Sequence, residues 1–319
     1  MGIAAAFGRL APATQGAILL VTGISIFGLT DNFTMIVSDQ VGVGQFHFSR
    51  SIFAVVMVFV MARLFGMSVM PKKWGVVLIR TMFVAMSMLL YFAVIPMMPI
   101  AEAGAGLFTS PIFVLIFSAV VFKEKIGIRR IAAVVIGSIG VLLVLQPGGS
   151  KFTWFHLMPV LGGACYAMGS ITTYRYCRDE SPLALLMAFL VVIGLNGFVV
   201  TSILTLFPVS PTLLNEAPFL FSPWHAVDLV FWGWMVMIAA GAAFGLAMMT
   251  RAYQLAKTSY AVIFEYAYLI SAGFFSWLLW GLVPNVTSII GILFIVSAGV
   301  IIVLAQAKAE AHAEIKNPE

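Results

Sequence analysis

Long runs of apolar residues, separated by short polar segments, follow one another along almost the whole chain. A membrane-spanning α-helix needs about 20 such residues to cross roughly 30 Å of hydrocarbon. A membrane β-barrel would instead alternate in polarity over segments of about 10 residues. The pattern therefore predicts an all-α integral membrane protein with ten transmembrane helices. The predicted spans cover residues 14–38, 44–65, 74–95, 100–121, 128–146, 153–175, 182–207, 226–250, 259–281 and 286–306.

Composition supports a membrane protein. Of the 319 residues, 62% are hydrophobic and only 9% are charged, whereas a soluble domain carries roughly 25% charged residues. So little charge cannot cover a soluble surface. The net charge of +5 is typical of basic cytoplasmic loops in membrane proteins, and we predict no nucleic-acid partner.

The distribution of Lys and Arg predicts the orientation. With ten spans, both termini lie on the same side of the membrane. If that side is the cytoplasm, fifteen of the seventeen basic residues fall in or near cytoplasmic segments, and only Arg50 and Lys151 lie toward the outside. Because basic residues collect on the cytoplasmic side, we predict cytoplasmic termini and a cytoplasmic tail at 307–319. The expected location is the bacterial inner membrane.

Two segments about 158 residues apart share one layout: MPIAEAGAGLFTSPIFVLIFSAVVFKEKIG and AKTSYAVIFEYAYLISAGFFSWLLWGLVPN. Each begins with small residues, continues through a span, turns quickly and leads into an apolar helix with a late glycine. The layout predicts two units of five spans, residues 14–146 and 153–306. An odd number of spans inverts the second unit, and inverted repeats are typical of secondary transporters that bind substrate between the halves.

The first of these segments resembles the end of an EamA domain, a family of the drug/metabolite transporter superfamily. QFHFSR resembles the start of the second helix in that family, and VIFEY resembles its ninth helix. The stretch DNFTM departs from the Asp-x-x-x-Lys of related branches, because Met35 replaces the lysine. The EamA-like features of the first segment and of the residues that follow it up to Gly148 are a small-residue start, a mid-helix proline, an acidic helix end and a closing glycine helix, at Pro99, Ala101, Pro111, Glu124 and Gly140.

This resemblance covers residues 14–306. It implies two EamA repeats in a ten-helix transporter. It also implies a small organic metabolite as the substrate.

Five ionisable residues fall within the predicted spans. A charge near the centre of a membrane costs roughly 2.5–3.5 kcal/mol on insertion scales and usually faces a cavity or a partner. By depth, Asp31, Arg50 and Glu102 form a group in the outer half, whereas Arg80 and Glu265 form one in the inner half. We predict that Asp31, Arg50, Glu102 and Glu265 bind substrate. Glu265 and Arg80 are also candidates for proton coupling.

Glu265 interrupts the apolar run Ser259–Gly281. On a continuous α-helix, residues three and four positions away share its face. These neighbours are Ala261, Val262, Tyr268 and Leu269, a smaller and more polar set than the rest of the helix. Such a face suits a cavity wall. The structural alternative is that Glu265 neutralises Arg80 and only fixes helix packing.

Other candidates are also open to two interpretations. Arg50 is long enough to extend toward the membrane surface, and Glu102 at a helix start suits the helix dipole. A buried tyrosine hydroxyl needs a hydrogen-bond partner. We therefore add Tyr91, Tyr166 and Tyr266 to the predicted substrate site.

The chain has no phosphate loop and no metal-ligand spacing of Cys and His. We therefore predict no enzymatic activity, no cofactor and no metal. The main prediction is a secondary active transporter that moves an amino-acid-like, cationic or zwitterionic metabolite by alternating access. The alternatives are a channel-like facilitator of a small solute and an exporter of amphipathic drug-like compounds. The expected partners are a small-molecule substrate, the lipid bilayer and, as a candidate coupling ion, the proton. The chain is expected to be a monomer or a homodimer.

Overall fold

The computed structural model describes residues 12–121, 123, 127–146, 152–255 and 262–316, which form helices and loops with no β-strand among them. Three 3-10 helices lie in this part of the chain, at Ile95–Met97, Trp154–Leu157 and Val262–Tyr266. Its α-helices are α1 (Pro12–Asn32), α2 (Thr34–Val37), α3 (Val43–Leu64), α4 (Trp74–Phe92), α5 (Ile100–Leu107), α6 (Ser110–Val120), α7 (Ile128–Leu145), α8 (Met158–Tyr176), α9 (Pro182–Leu206), α10 (Pro211–Glu216), α11 (Pro218–Phe221), α12 (Leu229–Leu255), α13 (Ala267–Trp280) and α14 (Val286–Lys316).

Each predicted span overlaps at least one described helix. The outward faces carry large apolar side chains, such as Val56, which is 57% exposed, and Leu78, which is 53% exposed. By length and composition, six helical stretches of the described chain can cross a membrane: Thr14–Val37, Val43–Leu64, Trp74–Met97, Ile100–Val120, Pro182–Leu206 and Leu229–Met249. The chain is therefore an all-helical, multi-pass membrane protein. Ten spans and cytoplasmic termini stay predictions.

The most extensive helix packing joins residues of the first half to residues of the second. The principal pairs are α7 with α14, α1 with α12, α4 with α8 and α3 with α9. In the predicted two-unit arrangement, the counterparts of α1, α3, α4 and α7 are α8, α9, α12 and α14. Exchanging each helix for its counterpart turns the α1–α12 pair into the α4–α8 pair. The same exchange leaves the other two pairs unchanged. The packing thus has the pattern expected of two related halves.

Reciprocal glycine contacts bring two of these helix pairs together. A Cβ on Gly23 would lie 2.7 Å from the carbonyl oxygen of Gly245, and a Cβ on Gly245 would lie 2.8 Å from that of Gly23. Gly140 of α7 and Gly291 of α14 make the same reciprocal approach, at 2.7 and 2.6 Å. Small residues allow such close backbone contact between membrane helices.

Two of the predicted spans are discontinuous in the structure. Residues 108–109 separate α5 from α6, where Pro111 lies in the first turn of α6 and the Thr109 hydroxyl donates a 2.6 Å hydrogen bond to the Gly106 carbonyl. In the second half, the 3-10 helix Val262–Tyr266 precedes α13. The prediction of one continuous α-helix over 259–281 is therefore wrong, and residues 259–261 lie outside the described chain. Since a 3-10 helix has 3.0 residues per turn, the α-helical face proposed for Glu265 does not apply.

The side chains of Gln45 and Glu180 each form two hydrogen bonds to backbone groups of the other half, and we call these two contacts latches. The latches lie at corresponding places in the two predicted units. Gln45, at the start of α3, donates from Nε2 to the His225 carbonyl at 2.8 Å and accepts from the His225 N–H at 2.9 Å. Glu180, just before α9, accepts from the N–H groups of Lys72 at 2.8 Å and Lys73 at 2.7 Å. The first latch precedes α12 and the second precedes α4, which are counterpart helices.

Candidate functional site

A cavity of about 620 Å³ lies between the two halves and is lined by residues from both. Its volume is within the range of small-molecule sites, about 300–1,000 Å³. The described lining is mostly apolar, and its charged members are Asp31, Arg50 and Glu265. The structure thus brings residues from both predicted charge groups to one cavity.

Aromatic side chains form much of the cavity wall. The Phe108 ring, at the break between α5 and α6, stacks on Tyr268 with centroids 5.9 Å apart and lies 5.2 Å from the Tyr266 ring. Such offset and tilted ring pairs stabilise packing beyond the burial of their area. The aromatic members of the lining are Phe27, Tyr91, Phe92, Phe108, Tyr166, Phe189, Tyr266 and Tyr268.

Asp31 forms a buried hydrogen-bonded cluster with two tyrosines. The Tyr268 hydroxyl donates to Asp31 Oδ2 at 2.6 Å, and the Tyr91 hydroxyl lies 3.4 Å from the same oxygen. The two tyrosine hydroxyls also contact each other. Tyr268 is not among the site residues predicted from the sequence. The only sequence signal for it was its spacing from Glu265.

Arg50, on α3, is buried beside the cavity and 8% exposed. Its guanidinium carbon lies 5.3 Å from the centroid of the Phe46 ring and 5.1 Å from that of Phe92. Its Nη2 atom is 3.3 Å from His47 Nδ1. Because Arg can only donate, His47 accepts at Nδ1 and carries its proton on Nε2. Aromatic rings therefore enclose the guanidinium, which does not extend along the membrane surface.

Asp31 and Arg50 face the same cavity without forming a direct ion pair. The two groups are close enough to interact electrostatically. Within the described residues, however, no pair of oxygen and nitrogen atoms joins them within 4.0 Å. The cavity therefore presents a positive and a negative group side by side.

Glu265 and two tyrosines form a second polar region of the lining. Glu265 and Tyr266 both belong to the 3-10 helix Val262–Tyr266. Tyr266 is 6% exposed, and its hydroxyl occupies the space where Gly299 has no Cβ. Tyr166, on α8, lies within electrostatic reach of both Glu265 and Arg80.

Two predicted residues lie elsewhere. Glu102 is not among the described residues that line the cavity, and Ser288 lies near its side chain. Arg80 also lies outside this lining. It donates from Nε to Thr173 Oγ1 at 3.0 Å and from Nη1 to the Leu185 carbonyl at 3.4 Å. An ion pair between Arg80 and Glu265 stays a prediction.

An all-helical body with an apolar exterior and an internal cavity that holds charged groups defines a multi-pass membrane protein built around a small-molecule site. Residues 14–146 match the EamA-like transporter family. The chain thus contains an EamA-like transporter domain, and the proteins similar to it are transporters of the drug/metabolite transporter superfamily.

Several transporters are similar to this chain over most of its length. A riboflavin transporter of Brucella anthropi is 25% identical over 71% of this chain and 75% of its own. A riboflavin transporter of Vibrio cholerae is 24% identical over 85% of this chain and 86% of its own. The pseudopaline exporter CntI of Pseudomonas aeruginosa is 23% identical over 91% of this chain and 94% of its own.

A solved crystal structure has a similar fold. It covers 93% of this chain and 99% of its own, with a TM-score of 0.57 and 17% sequence identity. At this identity the similarity concerns the fold alone.

Proposed function

We propose that this transporter is a secondary active carrier of a small cationic or zwitterionic organic metabolite across the bacterial inner membrane. The observation that carries this proposal is the meeting of Asp31, Arg50 and Glu265 at one cavity between the halves. Charged side chains within membrane segments are costly and mark substrate or ion pathways. Two carboxylates favour a substrate with a positive group.

Alternating access through two inverted halves is the mechanism we propose. In transporters built from inverted repeats, the substrate lies between the repeats, and discontinuous helices form much of its site. Here the breaks before α6 and before α13 fall in corresponding spans of the two halves. Both breaks contribute to the cavity, through Phe108 and through Glu265 and Tyr266. The exchange pattern of helix pairs supports the same mechanism, because rocking of one half against the other can expose either end of the cavity.

The proton is the coupling ion we propose, with Glu265 as its carrier. A carboxyl group facing a largely apolar cavity can bind a proton when the cavity opens to one side and release it on the other. Arg80 would act through Tyr166, which lies within electrostatic reach of both Arg80 and Glu265.

A second candidate substrate is a planar aromatic metabolite. Eight aromatic side chains in the described part of the lining, with Phe108 stacked on Tyr268, offer flat surfaces to a ring system. Two of the similar proteins are named riboflavin transporters. An amphipathic aromatic compound would place its ring against these side chains and its polar groups near Asp31, Arg50 or Glu265.

A metabolite screen followed by counterflow tests this function. A ligand that binds only the folded protein raises the melting temperature, so amino acids, amines, nucleosides and flavins are screened on the purified protein. Each hit is then loaded into proteoliposomes, and uptake of external labelled compound is measured. Internal unlabelled compound should accelerate that uptake. Uptake that neither saturates nor responds to internal compound would indicate a channel and contradict the proposal.

A further inference from the structure

We infer that Arg50 binds a carboxylate group of the transported substrate and that His47 is the positioning residue that aims it. This inference rests on the proposed function, because it takes the cavity as the transport site. It narrows the substrate from cationic or zwitterionic metabolites to those that carry a carboxylate.

Without such a group, the Arg50 side chain has more N–H donors than hydrogen-bond partners. A guanidinium has five N–H donors and no acceptor. Among the contacts of the described residues, its side chain makes one hydrogen bond, to His47. Asp31 does not take up the remaining donors, since no ion pair joins them and its Oδ2 accepts from Tyr268. A buried charge with unused donors costs free energy, and a carboxylate can accept two parallel N–H bonds from one guanidinium.

The surroundings of Arg50 leave the edge of the guanidinium available for that contact. Phe46 and Phe92 lie at cation–π distances of 5.3 and 5.1 Å, and neither ring offers a hydrogen-bond acceptor of ordinary strength. Because Arg50 lines the cavity, the N–H groups not used by His47 are within reach of a bound molecule. A planar fork held in this way is suited to a planar carboxylate.

His47 is itself held in one orientation. It is fully buried, and its ring packs edge-on against Phe46 at 5.2 Å and Phe92 at 4.9 Å. Its Nδ1 accepts from Arg50, so the histidine orients the guanidinium without adding a second positive charge to the site. We therefore assign His47 a role in carboxylate selectivity through Arg50, and no direct contact with the substrate.

Charge matching favours a carboxylate over a phosphate. Among the described residues, the cavity lining contains one guanidinium and two carboxyl groups, Asp31 and Glu265. A dianionic phosphate would add two negative charges to a low-dielectric site that already holds carboxyl groups. A carboxylate carries one negative charge, which balances the one positive charge of Arg50. An ammonium group on the same molecule would be attracted by Asp31 or Glu265.

Three probes with the same phenyl ring and side-chain length separate the charged groups. L-Phenylalanine carries both charges, 3-phenylpropionate lacks the ammonium group and phenethylamine lacks the carboxylate. Affinities are obtained from melting-temperature titrations of the purified protein. We expect 3-phenylpropionate to bind the wild type and to bind Arg50→Gln about ten- to a hundredfold more weakly, the usual effect of losing a hydrogen bond to a charged group. Phenethylamine should bind Arg50→Gln at least as tightly as the wild type, because the substitution removes a like charge from the site.

Three further variants test orientation and guard against misfolding. Arg50→Lys keeps the charge but lacks the fork, so 3-phenylpropionate should bind it more weakly even if Arg50→Gln does not fold. His47→Asn retains an acceptor, whereas His47→Leu has none. We expect the affinity ratio of 3-phenylpropionate to phenethylamine to fall in His47→Leu and to be restored in His47→Asn. A general structural role of His47 would weaken both probes together and leave that ratio unchanged.

The absence of a melting shift with 3-phenylpropionate in the wild type would overturn the carboxylate site, whatever the other probes do. Equal binding of 3-phenylpropionate to the wild type, Arg50→Gln and Arg50→Lys would overturn it as well. Counterflow of another metabolite that depends on Glu265 but not on Arg50 would leave the transport function intact and contradict only this inference.

Discussion

The hydroxyl of Tyr268 donates a 2.6 Å hydrogen bond to the carboxylate of Asp31, joining α13 of the second half to α1 of the first. One position along α1, the Asn32 side chain donates to the Ala272 carbonyl of α13 at 3.1 Å. These two contacts fix the wall of the cavity at the point where the halves meet. A change at this wall should therefore affect both stability and transport.

Removal of the Tyr268 hydroxyl tests the importance of this contact. A hydrogen bond to a charged group contributes about 1.5–3 kcal/mol, so Tyr268→Phe should lower the free energy of unfolding by that amount. Tyr91→Phe is the matched comparison, because it removes the contact between the two tyrosine hydroxyls and a weak 3.4 Å contact with the same oxygen but leaves the Tyr268–Asp31 bond in place. Its expected loss is that of a neutral hydrogen bond, about 0.5–1.5 kcal/mol. Unfolding in detergent micelles measures both, and equal losses would contradict the assignment.

The absence of a side chain at Gly299 makes room for Tyr266. A Cβ at this position would overlap the Tyr266 hydroxyl, so Gly299→Ala should push that ring toward the cavity. We expect a loss of stability of about 1–3 kcal/mol, as for other overpacked sites, together with weaker substrate binding.

Gly233→Ala is the control for this substitution. A Cβ on Gly233 meets no atom within 4 Å, and its effect should stay within about 0.5 kcal/mol. Similar melting temperatures and substrate affinities for the two alanine variants would show that Gly299 does not determine the position of Tyr266.

The Glu180 latch should contribute far more to stability than the neighbouring surface ion pair. Glu180 is 7% exposed and accepts from two backbone N–H groups, so Glu180→Ala should cost about 1.5–3 kcal/mol. Asp179 lies 3.8 Å from Lys73 Nζ, with both side chains more than half exposed. Exposed pairs of this kind contribute at most about 1 kcal/mol. If thermal unfolding shows that Asp179→Ala loses as much stability as Glu180→Ala, the Glu180 latch contributes no more to stability than the surface ion pair.

Reporter fusions test the orientation. Because fifteen of the seventeen basic residues fall on one side of a ten-span arrangement, a fusion after Gln146 should be periplasmic and a fusion after Lys257 cytoplasmic. Alkaline phosphatase and green fluorescent protein fusions at each point give complementary signals. A reversed signal at either position would rule out the ten-span arrangement.

The location of helices and of several cavity residues could be predicted from the sequence. Asp31, Arg50 and Glu265 stand out because an ionisable group in an apolar run needs a compensating environment. Pro111 marks the break before α6, since proline removes a backbone donor. The break at Val262–Tyr266 contains neither proline nor glycine, so no helix-breaking residue within it marks it in the sequence.

Contacts between distant residues account for what the sequence could not predict. Glu102 and Asp31 look equivalent by depth, but depth does not specify which way a helix faces, and only Asp31 is among the described residues at the cavity. His47 and Tyr268 gain their roles from contacts with Arg50 and Asp31. The Tyr268 contact joins positions 237 residues apart, and no local pattern marks such a pairing.

The most direct test of the account compares Glu265→Gln with Glu102→Gln. The two substitutions are chemically identical, but only Glu265 lies among the described residues of the cavity lining. For the metabolite identified by counterflow, we predict that Glu265→Gln weakens binding by about 1.5–3 kcal/mol or abolishes uptake driven by a pH gradient while exchange continues. Glu102→Gln should retain wild-type binding and pH-driven uptake. Wild-type affinity and pH-driven uptake in Glu265→Gln, or an equal loss in Glu102→Gln, would contradict a transport site at this cavity.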